Sequence, residues 1–316
     1  MQNRHFTTGY RLIRTTYYDV MLKKLKGYMM PIAMILGSLF YSFFGSLTFL
    51  TPYLIFVMLF FAYCNLQLHQ IRFTRMHFIL VAVQIFGSLS LFFLLQPFDL
   101  TLAQGVMICV LAPTATAAPV IAGMLKGNVA SLTAYSLISN LSVAIVAPII
   151  FSFIGTNQEL PFVESFLKIL QPMFLLLLLP LILVIGVRKI YPKLIATAGA
   201  HAGISFYLWS MALMIVTGRT VGFVIQESGD SYFTEIMLAL GSLVVCVVQF
   251  VIGRKVGRKY DDTVAGGQGL GQKNTILAIW MAQTYLNPIA SIGPGAYVLW
   301  QNLINSYQVW RMRKHI

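Results

Sequence analysis

Apolar residues fill this chain in stretches of about 20, the length that crosses a bilayer as a helix, with short polar or basic clusters between them. Ten such stretches stand near 29–45, 47–66, 77–97, 102–126, 129–154, 166–187, 202–223, 233–253, 264–286 and 288–310. The pattern therefore predicts an all-α integral membrane protein of ten spans. Two of the stretches are interrupted where lipid tolerates interruption least. In the fourth, LAPTATAAPVIAGMLKGN from Leu111 to Asn128 places two prolines and two threonines at about mid-depth. In the ninth, GGQGLGQKN does the same with glycine and glutamine from Gly266 to Asn274. Each break frees backbone polar groups that need partners, so such backbone survives only inside protein or around a cavity. Secondary transporters build their binding sites from paired breaks of this kind.

Five is an odd number, so a repeated five-span unit inserts the second time upside down. The breaks fall in spans four and nine, matching places that run in opposite directions. An inverted repeat follows, read from pattern because the halves share little identity. The chain then divides into a basic arm at 1–28 and a first repeat at 29–154. An outer linker at 155–165 precedes a second repeat at 166–310, and a basic tail closes the chain at 311–316.

Charge gives this arrangement a direction. Of the 22 Lys and Arg, all but Lys168, Arg219 and Lys273 fall on one side if both ends of the chain share it. The opposite loops carry Asp99, Glu159, Glu164, Glu227 and Asp230. That asymmetry is the positive-inside rule, with both termini cytosolic and a plasma membrane, in a bacterium the inner one, as the expected site. The net charge of +13 is thus a topology signal with attraction to anionic lipid beside it, and it implies no nucleic-acid partner. A mean hydropathy of +0.78 with only 10% charged residues agrees. No signal peptide is read in the polar arm. Cys64, Cys109 and Cys246 lie in apolar spans without metal or disulfide spacing and read as packing residues.

Around the two breaks the chain resembles the bile acid:sodium symporters and their bacterial relatives, as a divergent member. The residues that carry the resemblance are Pro113-Thr114-Ala115-Thr116-Ala117, Leu125-Lys126-Gly127-Asn128-Val129-Ala130, Pro148, the Gly-Gln-rich break and Trp300-Gln301-Asn302. The resemblance implies a panel domain of spans one, two, six and seven against a core domain in which broken helices four and nine cross. It implies an organic anion as substrate, bile-acid-like or a small carboxylate, and two sodium ions behind the crossover. The implied sodium ligands transfer only in part. Ala118 and Pro119 stand where the family has Ser and Asn, and Leu132 replaces one hydroxyl of span five while Ser136 keeps the other. Gln268 stands for a glutamate, Gln84 and Gln272 match, and Lys273 follows in place of Asn. Sodium at Gln84 and Gln272 is thus the residual metal site, and no other cofactor is expected.

The residues alone lead to a similar point. None of the nine acids, and none of the five histidines, falls at mid-membrane, so no ion site rests on a buried carboxylate. Lys273 does fall there, where a charge costs at least ~2.5 kcal/mol on insertion scales. Four roles are open to it. The ammonium replaces sodium as a built-in cation, held by Gln84, Gln268, Ser136, Asn140 or freed carbonyls; it carries a proton; it contacts an anionic substrate; or it snorkels or bonds backbone without further duty. Thr114 and Thr116 are placed to help cap a carboxylate or to satisfy their own break. Asn140 and Asn302 are substrate contacts or interhelical glue. The reading is a secondary transporter of an organic anion, not an enzyme. A sodium-coupled symporter and an anion channel or receptor are the alternatives.

Overall fold

The computed structural model describes residues 29–66, 71–155, 161–201, 203–227 and 232–314, so the basic arm at 1–28 lies outside the described residues. Helices dominate throughout: α1 (Met29–Leu39), α2 (Tyr41–Ser46), α3 (Thr51–Cys64), α4 (Arg75–Leu95), α5 (Leu100–Leu111), α6 (Ala118–Met124) and α7 (Val129–Ile154). They continue as α8 (Phe162–Leu177), α9 (Leu179–Ile190), α10 (Pro192–Ala200), α11 (Ile204–Glu227), α12 (Phe233–Arg258), α13 (Thr263–Gly271), α14 (Thr275–Tyr285) and α15 (Ile292–Lys314). Among the described residues, six helical runs are long and apolar enough to cross a membrane. They are Tyr41–Cys64, Arg75–Leu95, Val129–Ile154, Phe162–Ile190, Ile204–Gln226 and Phe233–Arg258. The protein is all-α and polytopic.

Two boundaries differ from the sequence reading. A stop is expected near Gly45, yet the chain stays helical from α2 through a 3-10 turn at Leu47–Leu50 into α3. Pro52 sits in the first turn of α3, where its missing N–H costs no bond, so it does not interrupt the run. The sixth stretch begins earlier than expected, at Phe162, and runs through Leu178 into α9. Pro180 falls in the first turn of α9, and the bonds Leu178 N to Phe174 O and Ile182 N to Leu178 O carry the chain across it.

The helices form two groups. In one, α11 packs on α2 and α3, and α3 on α8, α9 and α10. In the other, α4, α5, α7, α12, α13 and α15 enclose both breaks. The groups meet through α7 against α8, and through α14 against α11 and α3. Arg188 of α9 ties its own group by donating to the carbonyls of Tyr63, Cys64 and Leu66 at the end of α3. In the other group α12 and α13 touch backbone to backbone. A Cβ on Gly253 would run into the Gly266 carbonyl, and one on Gly257 into the Asp262 carbonyl. Only glycine permits that approach.

Candidate functional site

The fourth stretch breaks because Pro113 cannot continue α5, and the ninth because α13 ends at Gly271 and Asn274 caps α14 by accepting from Leu277 N. The two breaks then pair with each other. Ala115 N donates to Gln272 O at 2.9 Å, and Asn274 N donates to Pro113 O at 2.8 Å, making an isolated antiparallel bridge centred on Thr114 and Lys273. This crossing satisfies backbone groups that neither helix can satisfy alone.

Side chains close the remaining carbonyls. At the end of α5, Lys273 Nζ donates to Val110 O at 2.8 Å, and Gln84 Nε2 donates to Leu111 O at 2.6 Å and to Ala112 O at 3.0 Å. Gln249 Nε2 donates to Cys109 O at 3.3 Å. At the end of α13, Thr114 Oγ1 donates to Gly269 O at 2.9 Å and Tyr297 OH to Gly271 O at 2.7 Å. Lys273 is only 1% exposed, so its ammonium is deep in the protein rather than at an interface. A cation over the carbonyl end of α5 is the arrangement that the helix dipole favours.

The bonds come in matched sets. Thr114 N donates to Ser139 Oγ, four residues after Tyr135, and Tyr135 OH donates to Gln84 Oε1. Lys273 N donates to Gln301 Oε1, four residues after Tyr297, and Tyr297 OH accepts from Gln249 Nε2. Thus α7 and α15 each present a Tyr and, one turn on, an acceptor for the break residue, while α4 and α12 each present a Gln.

Other residues singled out from the sequence are placed differently. Gln84 is fully engaged: its amide hydrogens reach Leu111 O and Ala112 O, and Oε1 already accepts from Tyr135 and Ser139. Lys273 bonds Val110 O, and none of Gln84, Gln268, Ser136 or Asn140 shares a hydrogen bond with its ammonium. Asn140 spends its amide on Ser136 O and Asn302 on Val298 O, each within its own helix. Thr114 is wholly buried against α13, whereas Thr116 is half-buried in the break. Ala118 is buried and Pro119 half-buried in the first turn of α6, neither with a side-chain oxygen. Gln268 Nε2 bridges Asn305 Oδ1 and Gln308 Oε1, and the oxygens of Gln268, Gln272 and Asn140 are buried without a hydrogen-bond partner. Sequence reasoning did not pick out Tyr135, Ser139, Gln249, Tyr297 or Gln301 for the site, though the equal spacing of 135/139 and 297/301 was there to be read.

Tested against this geometry, a sodium ion does not fit at Gln84, whose oxygen has no lone pair to spare. The partnerless oxygen of Gln272 suits a cation, but the ammonium-bearing Lys273 is its neighbour in the chain. Among the described residues no group of three or more His, Cys, Asp or Glu gathers as metal ligands. His77 and Ser131 do approach, at 3.0 Å, with Asp262 close enough to interact electrostatically. His77 Nδ1 accepts from Thr74 N, however, so Nε2 carries the hydrogen and cannot act as base towards Ser131.

No family model matches the chain. It is 24% identical over 209 residues to YocS of Bacillus subtilis (strain 168), described as an uncharacterized sodium-dependent transporter; the match covers 65% of this chain and 62% of that protein. This is distant homology to a bacterial sodium-dependent transporter. The match thus spans less than two thirds of the relative's length.

Proposed function

We propose that the protein is a secondary transporter of an organic anion, bile-acid-like or a small carboxylate, in which the Lys273 ammonium stands in for a coupling sodium. The observation that carries this reading is Lys273 Nζ on Val110 O inside a crossing of two broken helices. Such crossings place substrate and coupling groups where two repeats meet. The matched bonding of Thr114 and Lys273 supports ten spans in two inverted five-helix repeats, and the two helix groups support a panel and a core. The distribution of Lys and Arg supports cytosolic termini in a bacterial inner membrane.

Uptake of radiolabelled carboxylates and sterol sulfonates into proteoliposomes tests the transporter. Saturable uptake with counterflow is expected; conduction that never saturates would mean a channel. Thermal unfolding in detergent, sodium against potassium at constant ionic strength, tests the ion. A specific ligand raises stability by about 2.7 kcal/mol at a hundred times its Kd. Equal stability in both salts is expected.

A second reading, a sodium-coupled symporter, is favoured by the partnerless oxygens of Gln268 and Gln272 and by the description of YocS. A saturable sodium-selective shift would establish it and exclude Lys273 as the replacement.

A further inference from the structure

One face of α15 is polar for most of its length. Tyr297, Gln301, Asn305 and Gln308 succeed one another at four-, four- and three-residue spacing, which keeps them on one side of a helix. All four point into the group that holds the crossing. Tyr297 reaches Gly271 O, Gln301 holds Lys273 N, and Asn305 and Gln308 both accept from Gln268 Nε2. Gln308 also meets Arg254 Nη1 at 3.5 Å, and Arg254 is exposed. A line of polar atoms therefore leads from the surface at Arg254 to the buried backbone of Lys273.

This line is under-satisfied inside. Asn305 Nδ2, Gln268 Oε1 and Gln272 Oε1 are buried without a hydrogen-bond partner. Buried amides in that condition are the groups that ordered water bridges, because an unmet donor or acceptor costs about 1–3 kcal/mol. The line also ends abruptly. The next residue on the same face, four before Tyr297, is Gly293, and a Cβ there would lie 2.8 Å from the Gly105 carbonyl oxygen. A Cβ on Gly105 would in turn meet Ala290 O at 2.9 Å. Main chain packed on main chain leaves no passage beyond.

We propose that the polar face of α15 is a water-filled access route that connects Lys273 to one side of the membrane only, the side that carries Arg254. It rests on the reading of Lys273 as the working group of a transporter and deepens it, because water along this face reaches the main chain of the crossing from a single compartment. Gln268 and Asn305 are positioning residues for that water.

Single cysteines at Gln308, Asn305, Val298 and Leu303 test it, introduced into the otherwise wild-type chain, whose native cysteines are all buried. The probe is a membrane-impermeant trimethylammonium methanethiosulfonate, applied to right-side-out and inside-out vesicles. Only hydrated thiols ionise readily, so Gln308→Cys and Asn305→Cys are expected to react about tenfold faster than the others, from the Arg254 side alone. Val298 is buried on the same helix and Leu303 is exposed, which makes them the dry and lipid-facing references. Asn305→Cys reacting no faster than Val298→Cys, or equally from both sides, overturns the route. Should Asn305→Cys not fold, hydroxyl-radical footprinting of the wild-type protein decides instead. Tyr297 must then be oxidised above its counterpart Tyr135, and equal protection overturns the route. Labelling reads water and not transport, so a reactive face in a protein without uptake would refute the transporter and leave the route standing.

Discussion

Thr114 and Lys273 face each other in the antiparallel bridge, and each side chain closes the carbonyl four residues before the other: Thr114 on Gly269, Lys273 on Val110. The two breaks thus hold each other shut through reciprocal bonds, one from a hydroxyl and one from an ammonium. Neither bond is available to a break standing alone.

Replacing Lys273 by Gln removes the positive charge while keeping a donor. The variant is expected to show a sodium-selective rise in melting temperature where the wild type is expected to show none, because a cation place at the end of α5 has been opened. The sodium against potassium comparison made on both proteins reads it. Equal melting of the variant in both salts would argue that the ammonium never stood in for an ion.

Thr114→Val keeps the shape and deletes the bond to Gly269 O. The carbonyl is then buried unmet, so a loss of about 1–3 kcal/mol is expected by denaturant titration in mild detergent. Thr114→Ser, which keeps the hydroxyl, should recover most of that loss.

Gln84→Leu should do more damage than Thr114→Val, since one amide serves Leu111 O, Ala112 O, Tyr135 and Ser139. Gln84→Glu is expected to be no rescue, because a carboxylate cannot donate to the two carbonyls. Melting temperatures of the three variants, ranked in one detergent, check the order.

Arg188→Lys tests the other helix group. A guanidinium serves three carbonyls at the end of α3, and a single ammonium on a flexible stem does not reproduce that fork. Faster proteolysis in the segment after Cys64, with the crossing undisturbed, is the expected outcome.

Much of the crossing could be read in the sequence. The second break is confined to 272–274, with Gly266, Gly267 and Gly269 inside α13, yet Pro113 and the Gly- and Gln-rich run of span nine announced both breaks, because such residues are out of place at mid-membrane. Lys273 was conspicuous for the same reason. Its bonds were not, since Val110 is an ordinary apolar residue and the group that receives the ammonium is its backbone. Tyr135 and Tyr297 escaped notice because a tyrosine in an apolar helix reads as packing until its hydroxyl is seen to reach a partner. Asn140 and Asn302, which the sequence offers as substrate contacts or interhelical glue, each give their amide nitrogen to the carbonyl one turn back, a local solution that the sequence does not announce. The missing stop at Gly45 shows a similar limit, for the short link at 45–47 between two apolar stretches stays helical through the 3-10 turn that follows.

Where Gly253 and Gly257 meet α13, no side chain lies between the two backbones. Rotamer changes elsewhere let packed helices slip past one another by small steps, and this contact has no rotamers to change. The half-helix that ends beneath Lys273 is in effect a second rail fixed along α12. A displacement of either therefore displaces both as one piece, and has to be taken up where side chains do pack between the groups, at α7 against α8 and at α14 against α11 and α3.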